Sequence, residues 1–303
     1  MNYKITHTTN YRYSTPVSVC HNMVVLTPRP TDYLTVSSHR LSIRPIPIST
    51  EKRRDTFGNL LTRFSLEEHH SKLTITATSR VSVLPRDLPA AEATPTCDVV
   101  RAGIADASDP NWLAVVPFVF DSPRIQRSSV FADFAAPVVQ GSRSVLTALT
   151  DLTRLIYTEF KYDKNATRVD TPTESAFENR HGVCQDFAHI AVACLRSLKM
   201  PARYVSGYLR TIPPPGKERL VGADQSHAWV SVWCGPGLRW VDFDPTNNCV
   251  CGTDHVPIAV GRDYSDVVPI KGVFLGGGEP ELTVSVDVAP EERPAESFSK
   301  DDA

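Results

Sequence analysis

The spacing of apolar residues changes twice along this chain of 303 residues, and each change marks a different kind of secondary structure. Up to about residue 86, apolar and polar residues alternate, most regularly from Leu73 to Thr78 and from Val81 to Val83. Alternation places every second side chain on one face, as in a half-buried strand. Short strands of this kind, separated by turn signals such as Asp55–Asn59, predict a β-sandwich domain over residues 1–86.

A helical pattern replaces this alternation near Ser142. From there to Phe160 the apolar residues fall mostly three and four positions apart, which indicates an amphipathic helix. A stronger helix begins at Cys184 and ends before Pro201, and strand-like runs follow from Ala202 onward. The order of these patterns predicts an α+β fold.

Two domains are expected for a chain of this length. We place the second one, an α+β core, over residues 141–289. Residues 87–140 show no clear periodicity and are expected to form an irregular or helical connection. Residues 290–303 are polar, and their acids outnumber their bases, which predicts a disordered acidic tail.

Composition narrows the classes of partner. The formal net charge is −2, so nothing in the charge balance indicates a nucleic acid or an anionic membrane as partner. No stretch approaches the roughly 20 apolar residues that span a bilayer, and the first residues lack the apolar region of a secretory signal.

The seven cysteines are an odd number, and we expect them to be reduced thiols in the cytoplasm.

Cys184 stands at the start of the stronger helix, two residues after Gly182. A thiol there lies beside unpaired backbone N–H groups and the positive end of the helix dipole, and both favour the nucleophilic thiolate. The backbone N–H of Cys184 is also placed to stabilise an oxyanion on a bound carbonyl. The alternative is a small buried residue without a reactive role, as we expect for Cys194.

A predicted hairpin over residues 227–244 supplies candidate partners for the cysteine. A loop of two residues (235–236) or four (234–237) would place Asp244 directly opposite His227 and on the same face. A carboxylate there can accept one imidazole N–H and leave the other ring nitrogen for a thiol. Asp242 shares this face but lies farther from His227 in the same register.

Each of these residues also has a structural alternative. A histidine at a strand edge can simply be hydrogen-bonded within the fold, and an aspartate before Pro245 often begins a turn. Their combination with a helix-starting cysteine favours an enzyme instead. In that hypothesis Cys184 is the nucleophile, His227 is the base, and Asp244 orients the histidine.

Three segments of the chain resemble the transglutaminase-like superfamily, specifically its bacterial transglutaminase-like cysteine peptidases. They are His181-Gly-Val-Cys184-Gln-Asp-Phe-Ala-His189, Ser226-His-Ala-Trp229 and Trp240-Val-Asp-Phe-Asp-Pro-Thr-Asn247. Residues 255–266 look like the C-terminal strand segment of this branch, and the first 85 residues look like the β-domain that precedes its core.

The resemblance implies a Cys-His-Asp triad formed by Cys184, His227 and Asp244. It also implies a papain-like core in which the cysteine helix packs on an antiparallel sheet. The family's chemistry is acyl transfer through a thioester, so water as acceptor hydrolyses a peptide or amide, whereas an amine acceptor gives transamidation. We expect hydrolysis. The acidic calcium loop and the oxyanion-hole tryptophan of animal transglutaminases have no counterpart in this sequence, and we expect no cofactor.

A zinc site is the main chemical alternative. Cys249, Cys251 and His255, with Cys234 as a further ligand, are residue types that zinc accepts. Their spacing differs from that of a standard pair of zinc knuckles, so we expect no metal.

Two further assignments concern the substrate and the class of protein. Trp229 and Gln185 are candidates for the walls of a substrate groove, although core packing explains a tryptophan equally well. A catalytically silent binding module with the same fold is the alternative to an enzyme, because the fold by itself does not establish a function.

Overall fold

The computed structural model describes residues 1–105, 110–211 and 224–291 of the chain. Its strands are β1 (Asn2–Val24), β2 (Leu34–Arg44), β3 (Ser49–Arg54), β4 (Leu60–Leu66), β5 (His70–Val83), β6 (Lys161–Tyr162), β7 (His181–Gly182), β8 (Ala202–Leu209), β9 (Gln225–Trp233), β10 (Trp240–Asp244), β11 (Cys249–Val250), β12 (His255–Gly261), β13 (Ile270–Gly276) and β14 (Pro280–Glu291). Its α-helices are α1 (Cys97–Ala105), α2 (Pro110–Leu113), α3 (Ser129–Ala135), α4 (Val145–Glu159), α5 (Thr173–Asn179) and α6 (Cys184–Ser197). Short 3-10 helices cover Ala91–Ala93, Val116–Val119 and Tyr264–Asp266.

The long strand β1 is the centre of the first sheet. Its first half pairs with β5 on one side and β14 on the other, so that Thr6 lies between Thr78 and Asp287. Its second half pairs with β4 and β13, so that Met23 lies between Arg63 and Lys271. One strand thus has different neighbours along its length, and the sheet curls.

The curl allows this sheet to bury a core of its own. Val24 of β1, Phe64 of β4 and Ile75 of β5 are each at most 2% exposed and belong to one apolar cluster. Side chains from both halves of the sheet therefore pack together. The sandwich predicted from sequence is one antiparallel sheet that curls on itself, with seven strands in the described part of the chain.

The last two strands differ from the sequence prediction in where they belong. The predicted core, 141–289, includes β13 and β14, but both strands pair with β1 in the first sheet. The first sheet therefore combines residues from both sides of the core. Pro290 and Glu291, predicted as the start of a disordered tail, are the last residues of β14, and residues 292–303 lie outside the described part of the chain.

The second sheet carries the helix that begins with Cys184. Its order is β11-β10-β9-β8-β12, and every neighbouring pair is antiparallel. The apolar residues of α6, such as Phe187 and Ile190, are at most 2% exposed and share a cluster with Val230 and Val232 of β9. The predicted α+β fold, with the cysteine helix on an antiparallel sheet, is confirmed.

The hairpin between β9 and β10 has a different register from the predicted one. Trp240 pairs with Trp233, and Asp242 pairs with Ser231. The backbone N–H of Cys234 donates to the carbonyl of Arg239 at 2.8 Å, so the pairing continues one position beyond the strands and the loop is 235–238. The register is shifted by two residues from the prediction, and Asp244 is diagonal to His227 rather than opposite it.

The connection over residues 87–140 contains α1, α2, α3 and two of the 3-10 helices. Trp112 and Phe131 from this segment are buried in the same cluster as α6. The described part of the connection therefore contains short helices joined by irregular segments, and it completes the core around α6. Within the described ranges, no helix is long and apolar enough to cross a membrane.

Candidate active site

Cys184 is the first residue of α6, and hydrogen bonds hold the chain immediately before it. The backbone N–H of Val183 donates to Oδ2 of Asp186 at 2.8 Å, and the Thr167 hydroxyl donates to the same oxygen at 2.6 Å. The Cys184 side chain is partly exposed, and its backbone N–H has no hydrogen-bond partner among the described residues. One residue thus presents both a thiol and a free N–H donor.

Gly182 is required at its position before the cysteine. A Cβ atom on this residue would lie 2.7 Å from Oδ2 of Asp186 and 2.8 Å from its Cβ. A larger residue would displace the carboxylate that holds the start of α6. The glycine thus allows a close approach between the turn and the helix.

His227, near the start of β9, joins the thiol to a buried carboxylate. Its Nε2 lies 2.7 Å from Oδ2 of Asp244, and its ring lines the same cleft as the Cys184 side chain. Since Nε2 is occupied by Asp244, Nδ1 is the nitrogen that remains for the sulfur. Burial lowers the pKa of His227, but its interactions with Asp244 and Cys184 outweigh burial and raise the pKa to about 10. The site therefore favours the imidazolium at neutral pH.

Asp244 is fully buried, and five donors surround its carboxylate. Oδ2 accepts from Nε2 of His227 at 2.7 Å, Nε2 of His255 at 3.1 Å and Nδ2 of Asn247 at 2.6 Å. Oδ1 accepts from the backbone N–H groups of Thr246 at 2.9 Å and Asn247 at 3.3 Å. Burial raises the pKa of Asp244, but hydrogen bonds from the two histidines outweigh it and hold the pKa well below its ordinary value. Asp244 is therefore an ionised hydrogen-bond acceptor.

Asp242, the neighbouring carboxylate on this face, has other partners. Its Oδ2 accepts from Nε1 of Trp229 at 3.0 Å and from the hydroxyl of Tyr33 at 3.4 Å. These contacts join the second sheet to the loop after β1. Of the two carboxylates, Asp244 is the one that meets His227.

One group of side chains in the described residues could hold a metal ion. Oδ2 or Oδ1 of Asp244 and one ring nitrogen each of His227 and His255 lie within 4.8 Å of one another. Cys249 and Cys251 do not belong to this group, so the zinc site considered for these two cysteines and His255 does not form among the described residues.

A cleft of about 470 Å³ opens beside the thiol, between the two sheets. Cys184, Gln185 and His227 line one side of it. The first sheet lines the opposite side, with His7 and Thr9 from β1 and with apolar residues of β14, including Leu282 and Val284. The first sheet thus forms part of the candidate substrate site.

Of the two residues predicted to line a substrate groove, only one lies at the cleft. Trp229 is 0% exposed, and its side chain packs against Val205 of β8 and Val260 of β12 in the same sheet. It is therefore a core residue, and its assignment to the groove is wrong. Gln185 does line the cleft, and its side-chain amide donates to the carbonyl of Val169 at 3.0 Å.

Sequence reasoning missed three contributors to this site. Asn247 lies in the third segment that resembles the family, but the resemblance assigns it no role. The sequence suggests His255 only as a zinc ligand, and His7 belongs to the other sheet. Asn247 follows Asp244 within one turn, so the turn signal at Pro245 could have indicated it. The positions of His7 and His255 depend on how distant strands meet, for which the sequence has no local signal.

The chain is similar to known proteins over nearly its whole length. The profile of the bacterial transglutaminase-like N-terminal region matches residues 3–82, and that of the transglutaminase-like superfamily core matches residues 132–245. An uncharacterized protein of Mycobacterium tuberculosis is 39% identical over 292 residues, which cover 95% of this chain and 92% of that protein. The chain belongs to the transglutaminase-like superfamily. Membership supports cysteine-based catalysis as its general chemistry.

Two further proteins show how far the likeness to other transglutaminase-like proteins extends. The solved structure of a candidate cysteine protease from Cytophaga hutchinsonii has a TM-score of 0.73 and 23% identity, and the match covers 97% of this chain and 92% of that one. This likeness shows that the fold is shared. A protein-glutamine gamma-glutamyltransferase of Pseudomonas aeruginosa is 37% identical over 82 residues, which are 27% of this chain and 12% of that enzyme.

Proposed function

We propose that the chain catalyses cysteine-dependent acyl transfer on a peptide or amide bond, through a thioester, with water as the acceptor. The observation that supports this most strongly is that Cys184 and His227 line the same cleft and interact electrostatically, while His227 is hydrogen-bonded to buried Asp244 at 2.7 Å. Cys184 stands at the start of a helix, and its thiol faces this cleft. A nucleophile, a base and an orienting carboxylate in this order are the parts of a catalytic triad.

Acylation uses the thiolate and the imidazolium together. The Cys184 sulfur attacks the substrate carbonyl carbon, and the carbonyl electron pair moves onto oxygen, where the Cys184 backbone N–H stabilises it. His227 then donates its proton to the leaving nitrogen as the C–N bond breaks. An amine leaves, and an acyl thioester on Cys184 remains.

Deacylation reverses these roles. Neutral His227 takes a proton from water as the water oxygen attacks the thioester carbon. The second tetrahedral intermediate expels the Cys184 thiolate, and the product is a carboxylic acid. Asp244 stays ionised throughout and holds the imidazole in one orientation.

The choice of acceptor separates hydrolysis from transamidation. The cleft beside Cys184 is open, so water has access to a thioester formed there. The partial likeness to a protein-glutamine gamma-glutamyltransferase favours an amine acceptor, but it covers only 82 residues. We therefore propose hydrolysis first and transamidation as the second candidate.

A screen of peptide, isopeptide and small amide substrates, with and without a primary amine, tests this function. Hydrolysis predicts release of a carboxylic acid at a rate that added amine does not raise, while transamidation predicts an amine adduct at the expense of acid. The rate at which an acyl electrophile labels Cys184 at pH 5–6 is a second measurement. If Cys184 is labelled no faster than the other six cysteines and no substrate is turned over, the result would support a silent binding module instead.

The pKa of His227 sets the alkaline limit of activity. The pKa of about 10 in the folded protein lies above the ordinary 6.5. The charged imidazole therefore adds its full contribution to the free energy of unfolding below pH 6.5, and this contribution is lost as the pH rises through about 10. The same deprotonation removes the proton that the leaving amine needs. We expect kcat/KM to fall above pH 10, measured from pH 6 to 11 with the best substrate of the screen. A fall centred near pH 7 would contradict a histidine paired with Asp244.

A further inference from the structure

We propose that His255 is a positioning residue of the active site, which donates its Nε2–H to Asp244 and so holds that carboxylate against His227. The inference rests on the proposed function, because it assigns His255 a role in the same reaction. Its Nε2 lies 3.1 Å from Oδ2 of Asp244, and its side chain is 7% exposed. The triad is thereby extended by a second histidine, which meets the same carboxylate oxygen as His227.

The turn before β12 determines which ring nitrogen of His255 carries the proton. The backbone N–H of Gly252 points at Nδ1 at 3.3 Å, so Nδ1 accepts a hydrogen bond and carries no proton. The proton of the neutral ring is therefore on Nε2, which faces Oδ2 of Asp244. The imidazole acts as a fixed donor, and its partner is the ionised form of the carboxylate.

The same turn argues against the metal alternative at this group. A neutral histidine that binds a metal through Nε2 carries its proton on Nδ1. In His255 that proton would point at the N–H of Gly252, so two donors would face each other. The distances of 2.7 Å and 3.1 Å from Asp244 to the two histidines are those of hydrogen bonds. The described geometry thus favours a proton, rather than a metal, between each histidine and Asp244.

The position of His255 is fixed by contacts with both sheets. Its backbone N–H donates to the carbonyl of Gly252 at 3.2 Å, which closes the turn. Asp254 in that turn accepts from the hydroxyl of Tyr3, in β1, at 2.8 Å. The Trp229 indole and the His255 ring pack nearly at right angles, with 5.3 Å between their centroids. A donor held in this way restrains the Asp244 oxygen that also accepts from His227.

Two substitutions separate positioning from simple packing. His255→Leu keeps an apolar side chain of similar size but removes the donor, and we expect kcat to fall about 10- to 100-fold with little change in KM, as for other lost hydrogen bonds to a charged group. His255→Gln retains an N–H donor, and we expect it to recover most of kcat. Equal kcat for the Leu and Gln variants would overturn the proposal.

His70 provides a matched control. It is buried, as His255 is, and it lies in the first sheet, where Nδ1 meets the carbonyl of Glu68 at 2.7 Å. We expect His70→Leu and His70→Gln to lower thermal stability without changing kcat. If His70→Leu lowers kcat as much as His255→Leu does, the loss reflects stability, and the positioning role is wrong.

A measurement on Cys184 tests the proposal even if no amide is turned over. The rate of Cys184 alkylation by iodoacetamide at pH 6 reports the thiolate that His227 supports. We expect His255→Leu to slow it in the wild-type background and to have almost no further effect when Asp244→Asn is already present. Independent, additive effects would show that His255 does not act through Asp244. If the proposed function is wrong, the wild-type protein would instead be alkylated at Cys184 but would turn over none of the amide substrates.

The wild-type protein gives a direct test that does not depend on a folded variant. Nitrogen-15 NMR of the imidazole rings distinguishes the two neutral tautomers. We expect the neutral ring of His255 to carry its proton on Nε2. A proton on Nδ1, or a shift on addition of stoichiometric zinc that identifies a metal bond to Nε2, would overturn the assignment.

Discussion

Cys184→Ala is expected to lower turnover by about 10⁴-fold or more while leaving the fold intact, because removal of a triad nucleophile typically eliminates all but the residual effect of binding and the oxyanion donor. The thiol is partly exposed at the start of α6, and an alanine there retains the backbone N–H and the helix. Steady-state kinetics and a thermal melt of the same preparation measure the two effects separately.

Cys194 supplies the control for this prediction. It lies on the same helix, ten positions further along, but it is fully buried, and burial raises the pKa of its thiol. We expect Cys194→Ala to lower the melting temperature through lost packing, at about 1 kcal/mol, and to leave kcat within severalfold of wild type. Retained turnover in Cys184→Ala would exclude Cys184 as the nucleophile.

Asp244→Asn is expected to lower kcat by about 10⁴-fold, as in other triads where the histidine takes the wrong tautomer. The surroundings of Asp244 sharpen this expectation. Three side-chain donors converge on Oδ2, from His227, His255 and Asn247, while two backbone N–H groups converge on Oδ1. An asparagine must turn its NH₂ group toward one of these sets, so donors face donors in either orientation.

Asp242→Asn is the matched control, since Asp242 lies two positions before Asp244 on the same face of β10 and is also buried. Its carboxylate accepts from Trp229 and Tyr33 through one oxygen, and an amide oxygen can replace it. We expect some loss of stability and a kcat within about 10-fold of wild type. A fully active Asp244→Asn together with an inactive Asp242→Asn would show that the orienting carboxylate is Asp242.

The contact between His227 and Asp244 was predictable from the alternation of the hairpin, but its register was not. Alternation has a period of two, so a shift of two residues leaves Asp244 on the same face. The size of the loop decides the register, and the observed loop 235–238 begins with Gly235 at positive φ and is followed by Arg239, also at positive φ. The side chains still meet, because a diagonal neighbour remains within reach of an imidazole and a carboxylate.

The parts of the site that the sequence did not predict depend on contacts between distant segments. The strand-like runs of β13 and β14 are visible as patterns, but their partner, β1, lies at the other end of the chain. His255 reaches Asp244 only because the chain after β11 crosses back to the far edge of the second sheet, where β12 pairs with β8. Periodicity describes which residues are buried in an element, and it says nothing about which element covers them.

The pairing of β14 with β1 has a consequence for any attempt to shorten the protein. A fragment beginning at residue 141 would contain Cys184, His227 and Asp244, but β14 would lose the strand beside it and expose unpaired backbone groups. The same cut would remove His7 and Thr9 from the cleft and Tyr3 from the turn that carries His255. The segment that carries the candidate site is thus inserted within the first sheet, and we expect that it does not fold as an autonomous module.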